Sequence, residues 1–364
     1  MAKTMSVTRN DDDASSSSSR KRFKTFDNGG VASWSDVNHD VLFIVMMKLG
    51  VVDFVAFSGV CKSWRSLAVS NRNTFMASKP PMQISIGPHV NKEDSYYFLE
   101  DLIEGRFKTI IPHSSCRAYF GLTCGYLILF GRETRDFWLV NPITRDELHF
   151  PNYPLIVTSH EVQMRAIKGI LVFSPSISGC VFVVLHRKNI SFSIVGKQGW
   201  NHISSPIPTP EILDLHVLKG KIYSIHTDSS ICELRLDQNQ NLKWTSFETK
   251  NYPKKDWFPP EFVSSGEKLY MIYRSSSSRR KVMELDFGEM KWVPPKKTTG
   301  ECVFFLSRFT SCVAIKPESW PELQTLYRSC GYFLDDDKSR QCMFCYEWMW
   351  YFPHDCLNVT VLDE

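Results

Sequence analysis

The apolar residues between positions 34 and 81 recur at steps of three and four, which is the spacing of amphipathic helices. This spacing predicts two helices. The apolar stripe of the first consists of Val41, Ile44, Val45 and Leu49. Asn38 or Asp36 is placed to cap its start, and Gly50 suits the left-handed backbone that often ends a helix.

The second predicted helix begins near Asp53, a residue type that caps helices well. Its broad apolar face consists of Phe54, Phe57, Val60, Cys61, Trp64, Leu67 and Ala68. A unit of this size buries a low fraction of its surface, so spare apolar surface is expected. That surface either binds a partner or packs on the following domain as a cap, and the pattern alone leaves both interpretations open.

After Pro80-Pro81 the helical spacing ends, and short runs of Val, Ile, Phe and Tyr alternate with Gly, Pro, Ser and Asn, as in β-strands. Residues 220–244 are echoed by residues 266–292, with Tyr223 and Tyr270, and then Trp244 and Trp292, at almost the same interval. The interval is close to the roughly 40–50 residues of a four-stranded propeller blade. The repeat predicts a β-propeller of about six blades, with the tryptophans as core wedges between blades.

Composition narrows the class of protein. The chain has 364 residues, a formal net charge of +4 and 43% hydrophobic residues, which suits a large globular body and argues against a nucleic-acid binder. No apolar run approaches the roughly 20 residues of a membrane span, so no membrane partner is predicted. The eleven cysteines, without a secretory signal, are interpreted as reduced thiols of an intracellular protein.

Residues 1–30 are predicted to be a disordered arm, because they are rich in Asp and Ser and nearly free of apolar side chains. The arm carries a basic cluster formed by Arg20, Lys21, Arg22 and Lys24. Such a cluster is either a nuclear targeting signal or a solvated basic patch. The predicted location is the nucleus, the cytoplasm or both.

The helical segment resembles the F-box consensus in order and spacing. Residues 40–44 (Asp-Val-Leu-Phe-Ile), 51–57 (Val-Val-Asp-Phe-Val-Ala-Phe) and 60–65 (Val-Cys-Lys-Ser-Trp-Arg) carry the resemblance. The last run matches a hallmark of plant F-box proteins, Val-Cys-Lys-x-Trp-Arg. The F-box usually begins with Leu-Pro, whereas Val37-Asn38 stands there in this chain. Val37 can partly replace the leucine and Asn38 can cap the helix, so adaptor affinity is the property to test.

The whole arrangement, including residues 328–337 (Arg-Ser-Cys-Gly-Tyr-Phe-Leu-Asp-Asp-Asp), resembles plant F-box proteins with the domain of unknown function 295. The resemblance implies a mainly β fold: an α-helical F-box over residues 34–79, then a kelch-like propeller over residues 82–364 that recognises a substrate. It also implies a non-catalytic subunit of an SCF-type E3 ubiquitin ligase. Its partners would be a Skp-type adaptor, through it cullin and RING subunits, and an unknown target protein.

The resemblance places six residues in or beneath the adaptor interface: Val37, Ile44, Leu49, Val60, Cys61 and Trp64. A second interpretation is a propeller interaction protein with a degenerate F-box that acts outside a ubiquitin ligase. A third is a nuclear nucleic-acid binder led by the basic arm, which would bind with a steep salt dependence.

Other chemistry is less favoured. Cys342, Cys345, His354 and Cys356 offer four soft ligands for zinc, but their aromatic neighbours favour a buried strand. Asp335-Asp336-Asp337 lacks the alternating ligand spacing of calcium loops and is interpreted as an exposed turn. Common hydrolase, phosphate-binding and zinc-protease motifs are missing. We therefore predict no catalytic residue, no metal and no cofactor.

Overall fold

A computed structural model of the chain describes eighteen ranges. These are residues 34, 37–86, 96–101, 105–158, 167–175, 177–186, 189–203, 211–236, 242–253, 260–265, 267–274, 280–295, 302–307, 311–315, 331–334, 341–345, 349–353 and 360–361. The predicted arm with its basic cluster, Asp36 and Asp335-Asp336-Asp337 lie outside the described residues.

Three helices form the N-terminal part: α1 (His39–Lys48), α2 (Val51–Val60) and α3 (Lys62–Ser78). Asn38 caps α1, as predicted, because its side-chain Oδ1 accepts a hydrogen bond from the backbone N–H of Asp40 at 2.7 Å. Two other predictions are wrong. Gly50 has φ of −77° and precedes α2 as its N-cap, so it is not left-handed and Asp53 is no cap.

The predicted second helix is two helices, because the chain is extended at Cys61, with φ of −158° and ψ of 174°. Helix α1 is apolar on two sides, and the structure shows which one is buried. Leu42 and Met46 face the core, whereas Val41, Ile44 and Val45 are exposed. Most of the predicted apolar stripe of α1 is therefore the exposed side of the helix, and only Leu49 of that stripe is half-buried.

The rest of the described chain is mostly β, as predicted, and its strands form six sheets. Strands β1 (Met82–Ile86), β2 (Tyr96–Asp101) and β3 (Gly105–Ile110) belong to blade 1. Blade 2 contains β4 (Arg117–Thr123), β5 (Tyr126–Gly131), β6 (Asp136–Val140) and β7 (Glu147–Phe150). Blade 3 contains β8 (Ile167–Ser174), β9 (Gly179–His186), β10 (Asn189–Ile194) and β11 (Asn201–Ile203).

Blade 4 contains β12 (Ile212–Leu218), β13 (Lys221–His226), β14 (Ser230–Leu236) and β15 (Leu242–Glu248). Blade 5 contains β16 (Glu261–Ser265), β17 (Lys268–Arg274), β18 (Arg280–Asp286) and β19 (Lys291–Val293). Blade 6 contains β20 (Cys302–Ser307), β21 (Ser311–Ile315), β22 (Gly331–Leu334) and β23 (Gln341–Cys345). The last two strands, β24 (Met349–Tyr351) and β25 (Thr360–Val361), join blades 1 and 3.

The sheets are arranged as a closed propeller. Strands β4, β8, β12 and β16 pack side by side as inner strands, and β16 packs on β21 of blade 6. Strand β24 contacts β20 and pairs antiparallel with β1, so the end of the domain completes the first blade. Because the ring is closed, the inner strand of each blade lies beside a neighbouring blade and its edge is protected. The predicted propeller of about six blades is confirmed within the described residues, while the kelch-like subtype stays a prediction.

The sequence repeat corresponds to blades 4 and 5. Tyr223 on β13 lies opposite Glu233 on β14, and Tyr270 on β17 lies opposite Glu284 on β18. Trp292 is 1% exposed and packs in a core shared by blades 4 and 5, whereas Trp244 is half-buried against the core of blades 3 and 4. The interpretation as a core wedge is therefore confirmed for Trp292, whereas Trp244 packs against the edge of a core and is only half-buried.

The helices rest on the propeller near the point where the ring closes. One continuous core contains Leu42, Met46, Phe54, Phe57 and Phe75 from the helices. The same core contains Met82 and Ile84 of β1, Leu127 and Leu129 of β5, and Met349 and Tyr351 of β24. The helices are thus a cap on blades 1 and 2, and the opposite side of α1 stays uncovered in the described chain.

Candidate functional site

Exposed apolar side chains are concentrated on the helices. Within the described residues nine large hydrophobic side chains are exposed, and seven of them lie between residues 34 and 69. Five of these form what we call the exposed helical patch: Val41, Ile44 and Val45 on α1, and Val52 and Val60 on α2. Exposed apolar side chains grouped in this way mark interaction sites more often than single ones do.

The patch follows from helix geometry. Val41, Ile44 and Val45 are spaced at i, i+3 and i+4, so they share one side of α1. Leu42 and Met46, on the opposite side, are 2% and 0% exposed. A helix that is apolar on both sides is normally covered on both sides. Helix α1 is covered on one side only, which indicates that its outer side fits a partner.

Helix α2, like α1, has apolar residues on both its buried and its exposed side. Val52 and Val60 are eight residues apart and lie along the same outward stripe, while Val51, Phe54 and Phe57 are buried. The first half of this stripe also carries the Asp53 carboxylate. The two helices therefore present aliphatic side chains flanked by the exposed charges of Asp40, Lys48 and Asp53.

The structure divides the six residues proposed for the adaptor interface into two groups. Ile44 and Val60 are 61% and 54% exposed and belong to the exposed helical patch. Half-buried side chains that pack on the core, or lie between helices, form the other group: Val37, Leu49, Cys61 and Trp64. The six predicted interface residues did not include Val41 or Val45, although both belong to the predicted apolar stripe, nor Val52, which precedes the predicted start of the second helix.

Trp64 joins the start of α3 to α2 and to Trp34. Its ring packs on the Phe57 ring with 4.5 Å between centroids, and its Nε1–H donates to the backbone oxygen of Trp34 at 3.0 Å. The start of α3 is also held by Ser63, whose Oγ is 3.1 Å from His39 Nε2. Nearby, Arg65 Nε donates to the backbone oxygen of Ser58 at 3.2 Å. The hallmark run over residues 60–65 thus fixes helix positions.

The departure at Val37-Asn38 preserves the local backbone. Asn38 has φ of −53° and ψ of 134°, values that the proline ring also permits. Val37 is half-buried against the common core. The chain therefore approaches α1 along the path that a proline would impose, with a side-chain cap added.

A partly buried polar cluster joins the inner strands of blades 3, 4 and 5. Lys168 on β8 pairs with Asp214 on β12, and His216 Nε2 lies 3.0 Å from Asp214 Oδ2. Since a carboxylate only accepts, His216 Nε2 carries the proton, and Ser264 Oγ of β16 donates to Nδ1 at 3.2 Å. This arrangement connects Ser, His and Asp, but Lys168 neutralises the Asp214 carboxylate and His216 is only 6% exposed.

Burial and the Lys168 charge together set the electrostatics of this cluster. Burial raises the pKa of Asp214, but the Lys168 ammonium and His216 outweigh it and hold that pKa well below its usual value. Burial also lowers the pKa of His216, and Lys168 adds to this effect. The cluster connects blades 3, 4 and 5, so its role is structural.

In the described ranges, no three His, Cys, Asp or Glu side chains are arranged to hold a metal ion. The side chains of Cys342, Cys345, His354 and Cys356 lie outside the described part, so the zinc alternative is not tested there. Among the described helices, none is both long and apolar enough to cross a membrane.

Comparisons with known proteins agree with this architecture. The F-box domain model matches residues 34–76, and the KIB1-4 beta-propeller model matches residues 96–347, more than half of the chain. No curated protein matches the sequence significantly.

Two solved structures are similar to parts of the chain. The crystal structure of Citrobacter koseri AztD matches with a TM-score of 0.31 and 13% identity, covering 54% of this chain and 51% of that one. The crystal structure of the WD40 domain of SCAP from fission yeast matches with a TM-score of 0.36 and 10% identity, covering 63% and 56%. The chain spans about half the length of these two structures. The family assignment rests on the two sequence models: the chain belongs to the KIB1-4 beta-propeller family and carries an F-box domain ahead of its propeller.

Proposed function

We propose that this chain is the substrate-recognition subunit of an SCF-type E3 ubiquitin ligase. Its F-box, over residues 34–79, binds a Skp-type adaptor, and its propeller, over residues 82–364, binds a target protein. F-box proteins are typically non-catalytic adaptors. The chain would therefore act by holding the target near the ubiquitin carrier that cullin and RING subunits bring.

The exposed helical patch is the observation that supports the adaptor half of the proposal. It lies within the matched F-box, on the side of α1 and α2 that faces away from the propeller. Interfaces are commonly anchored by apolar side chains at their centre. Because the propeller already covers the other side of the helices, the adaptor and the propeller do not compete for the same residues.

The half-buried residues of the predicted interface have a different role in this proposal. Trp64 and Leu49 shape the patch from beneath, since both pack on the common core. Val37 sits at the approach to α1, and Cys61 sets the angle between α2 and α3. Their replacement would disturb the shape of the patch, whereas replacement of Ile44 or Val60 would change its chemistry directly.

The proposal that the propeller binds a target is supported by the propeller architecture. Loops between strands gather at the two ends of a propeller, and such loops commonly carry recognition residues. Fold alone does not identify a target.

Co-purification with a Skp-type adaptor tests the adaptor half. The unaltered chain is expected to retain the adaptor, and Ile44→Asp with Val60→Asp is expected to lose it. Ile156→Asp is the matched control, because Ile156 is 76% exposed but lies on the propeller. Equal retention by all three proteins, each folded by circular dichroism, would overturn the patch assignment.

The Val37-Asn38 departure supports a second function, a propeller interaction protein that acts outside a ligase. A variant with Val37→Leu and Asn38→Pro restores the usual F-box start and suits the backbone observed at residue 38. If only this variant retains the adaptor, the natural sequence acts outside a ligase. If both proteins retain it, the ligase function stands.

The location of the protein stays a prediction. The basic cluster of the arm would direct a fluorescent fusion to the nucleus. Replacing Arg20, Lys21, Arg22 and Lys24 by alanine should then shift the fusion to the cytoplasm, and an unchanged distribution would remove this prediction.

A further inference from the structure

Carboxylates flank the exposed helical patch. Asp40 lies one turn before Ile44 on the outer side of α1, and Asp53 directly follows Val52 on α2. Both aspartates are exposed. Helices α1 and α2 together contain these two aspartates and one lysine, Lys48. The patch therefore suits a partner that is apolar and carries positive charge.

The outer side of α2 has room for a large side chain. Ala56 and Gly59 are exposed between Val52 and Val60, and they are the smallest residues on this side of the helix. A Cβ added at Gly59 would meet nothing within 4 Å. The surface between the two valines is therefore low, and in the described part of the chain it is uncovered. Such a surface suits an aromatic ring.

The preceding part of the chain is attached beside this surface. Trp34 is the first described residue, and its backbone oxygen accepts from Trp64 Nε1 at 3.0 Å. The Trp64 ring in turn packs on the Phe57 ring of α2, with 4.5 Å between centroids. A single ring thus separates Trp34 from α2. A segment a few residues ahead of Trp34 starts close to the exposed helical patch.

Residues 20–26 (Arg-Lys-Arg-Phe-Lys-Thr-Phe) are complementary to the patch in composition. Phe23 and Phe26 are the only aromatic residues that precede Trp34. They lie beside the four cations of the basic cluster, Arg20, Lys21, Arg22 and Lys24. The segment therefore offers two rings and four positive charges to an apolar surface that has carboxylates at its margin.

The connection from this segment to Trp34 is long enough to reach the patch. Seven residues separate Phe26 from Trp34, and Gly29-Gly30 among them permits a reversal of the chain. Fully extended, the connection spans roughly 25 Å, whereas a helix of the length of α1 or α2 spans about 15 Å. A short flexible connection gives an effective concentration of roughly 1 mM. A contact with a dissociation constant of about 0.3 mM in trans would therefore cover the patch in most molecules.

We infer that residues 20–26 fold back on the exposed helical patch and cover it when no adaptor is bound. The phenylalanine rings pack on α2 between Val52 and Val60, and the cations face Asp40 and Asp53. The contact itself does not depend on the ligase function. Its consequence, competition between the segment and a Skp-type adaptor, rests on the proposed function.

A labelled peptide in trans tests the contact without any adaptor. The probe is a fluorescein-labelled peptide of residues 18–28. The host is the chain with Phe23→Ser and Phe26→Ser, whose own segment no longer competes. By fluorescence anisotropy this host is expected to bind the probe roughly threefold to tenfold more tightly than the unaltered chain does. That ratio corresponds to a segment that covers the patch in about two thirds to nine tenths of the molecules.

Replacements on the patch locate the bound probe. In the same host, Ile44→Ser with Val60→Ser is expected to weaken probe binding at least about fivefold, because apolar contact is lost and no charge is added. Ile156→Ser is the matched control, since Ile156 is 76% exposed but lies on the propeller. Asp40→Asn with Asp53→Asn should weaken binding about twofold to fivefold at low salt and less at high salt, because salt screens exposed ion pairs.

Titration with a Skp-type adaptor measures the competition. Phe23→Ser with Phe26→Ser should bind the adaptor roughly threefold to tenfold more tightly than the unaltered chain, because the patch is no longer covered. Met5→Ser with Val7→Ser is the matched control. It replaces two apolar residues that precede the segment, and it should bind the adaptor as the unaltered chain does.

The two titrations separate this inference from the proposed function. The inference is overturned if the probe binds the Ile44→Ser, Val60→Ser chain as tightly as its host, or if no chain binds the probe while thermal unfolding shows them folded. It is also overturned if the host and the unaltered chain bind the probe equally or bind the adaptor equally. If no chain binds the adaptor, the ligase function is contradicted, and the probe still decides whether the segment covers the patch.

Discussion

The indole Nε1–H of Trp64 donates to the backbone oxygen of Trp34, which ties the residue that opens the described chain to the start of α3. The two rings also meet edge to face with 6.3 Å between centroids. A tryptophan in the hallmark run of an F-box would be expected to contact the adaptor. Here Trp64 is half-buried, and its contacts are within the module.

Replacing Trp64 by alanine should destabilise the helical module. The loss of contacts with Phe57 and the hydrogen bond to Trp34 should lower the free energy of unfolding by about 2–3 kcal/mol, less than for a fully buried tryptophan. Trp64→Phe keeps the ring contact and should cost about 1 kcal/mol. Urea unfolding of both variants measures the difference, and equal losses would show that the hydrogen bond, not the ring, carries the effect.

The stability of the propeller should fall as the pH falls below 6.5, the ordinary pKa of histidine. The pKa of His216 is lowered in the folded chain, so the unfolded chain binds a proton that the folded chain does not accept. Asp214 has the same sign of effect at more acidic pH, because its pKa is also lowered. The thermal midpoint between pH 7.5 and 5 measures this slope. His216→Gln should flatten it, and an unchanged slope would contradict the assignment.

Two glycines should respond to alanine in opposite directions. At Gly169 an added Cβ would lie 2.8 Å from ring carbons of Phe182 and 3.0 Å from Ile128 Cδ1. Such overpacking between blades 2 and 3 should cost about 1–3 kcal/mol. At Gly59 in α2 nothing lies within 4 Å, and Gly59→Ala should stabilise the helix by about 0.5–1 kcal/mol. Thermal unfolding of the two variants should therefore shift to lower and higher temperature, respectively.

Replacing Glu233 should destabilise the propeller more than replacing its counterpart Glu284. Lys221 Nζ lies 3.3 Å from Glu233 Oε1, and Arg235 also pairs with this buried carboxylate. Lys268 Nζ lies 3.1 Å from Glu284 Oε1, but the Glu284 side chain is 19% exposed. Glu233→Ala should cost about 1–3 kcal/mol. Glu284→Ala should cost about 1 kcal/mol or less.

Titration of Tyr223 distinguishes the electrostatic effect of Glu233 from a general loss of packing. Burial and then Glu233 raise the pKa of Tyr223 to about 12. Glu233→Gln should therefore lower the pKa of Tyr223, which a titration of tyrosinate absorbance reports by difference from Tyr223→Phe. An unchanged Tyr223 pKa would mean that burial alone sets it.

Much of the propeller could be predicted because successive blades repeat the same residue types at the same positions. Tyr223 and Tyr270 occupy the same position of successive blades and face the same residue type across the strand pair. The closure of the ring could not be predicted in this way. The pairing of Met82 with Tyr351 joins segments from opposite ends of the domain, and no local alternation encodes it. The parallel pairing of β20 with β23 is equally non-local.

The helical module was harder to predict in detail. The apolar spacing continues in register through Val60, Cys61 and Trp64, so periodicity alone does not reveal that the backbone is extended at Cys61. Helix α1 is apolar on both sides, and only the position of the propeller decides that Met46 is covered and Ile44 is not. The resemblance to the F-box named Ile44 and Val60 for the adaptor interface, and both side chains are exposed, but their contact with an adaptor stays a prediction because packing within the chain does not test it.

The pairing of β24 with β1 has a consequence for how the protein is made. Met349 and Tyr351 belong to the core on which the helices rest, yet a ribosome reaches them long after it has made the helices and β1. Helices α1 to α3 emerge first, and the core on which they pack is complete only after most of the propeller has been made. A nascent chain interrupted before β24 would lack Met349 and Tyr351, so the core beneath the helices would be incomplete and chaperones would meet such a chain as an unfinished protein.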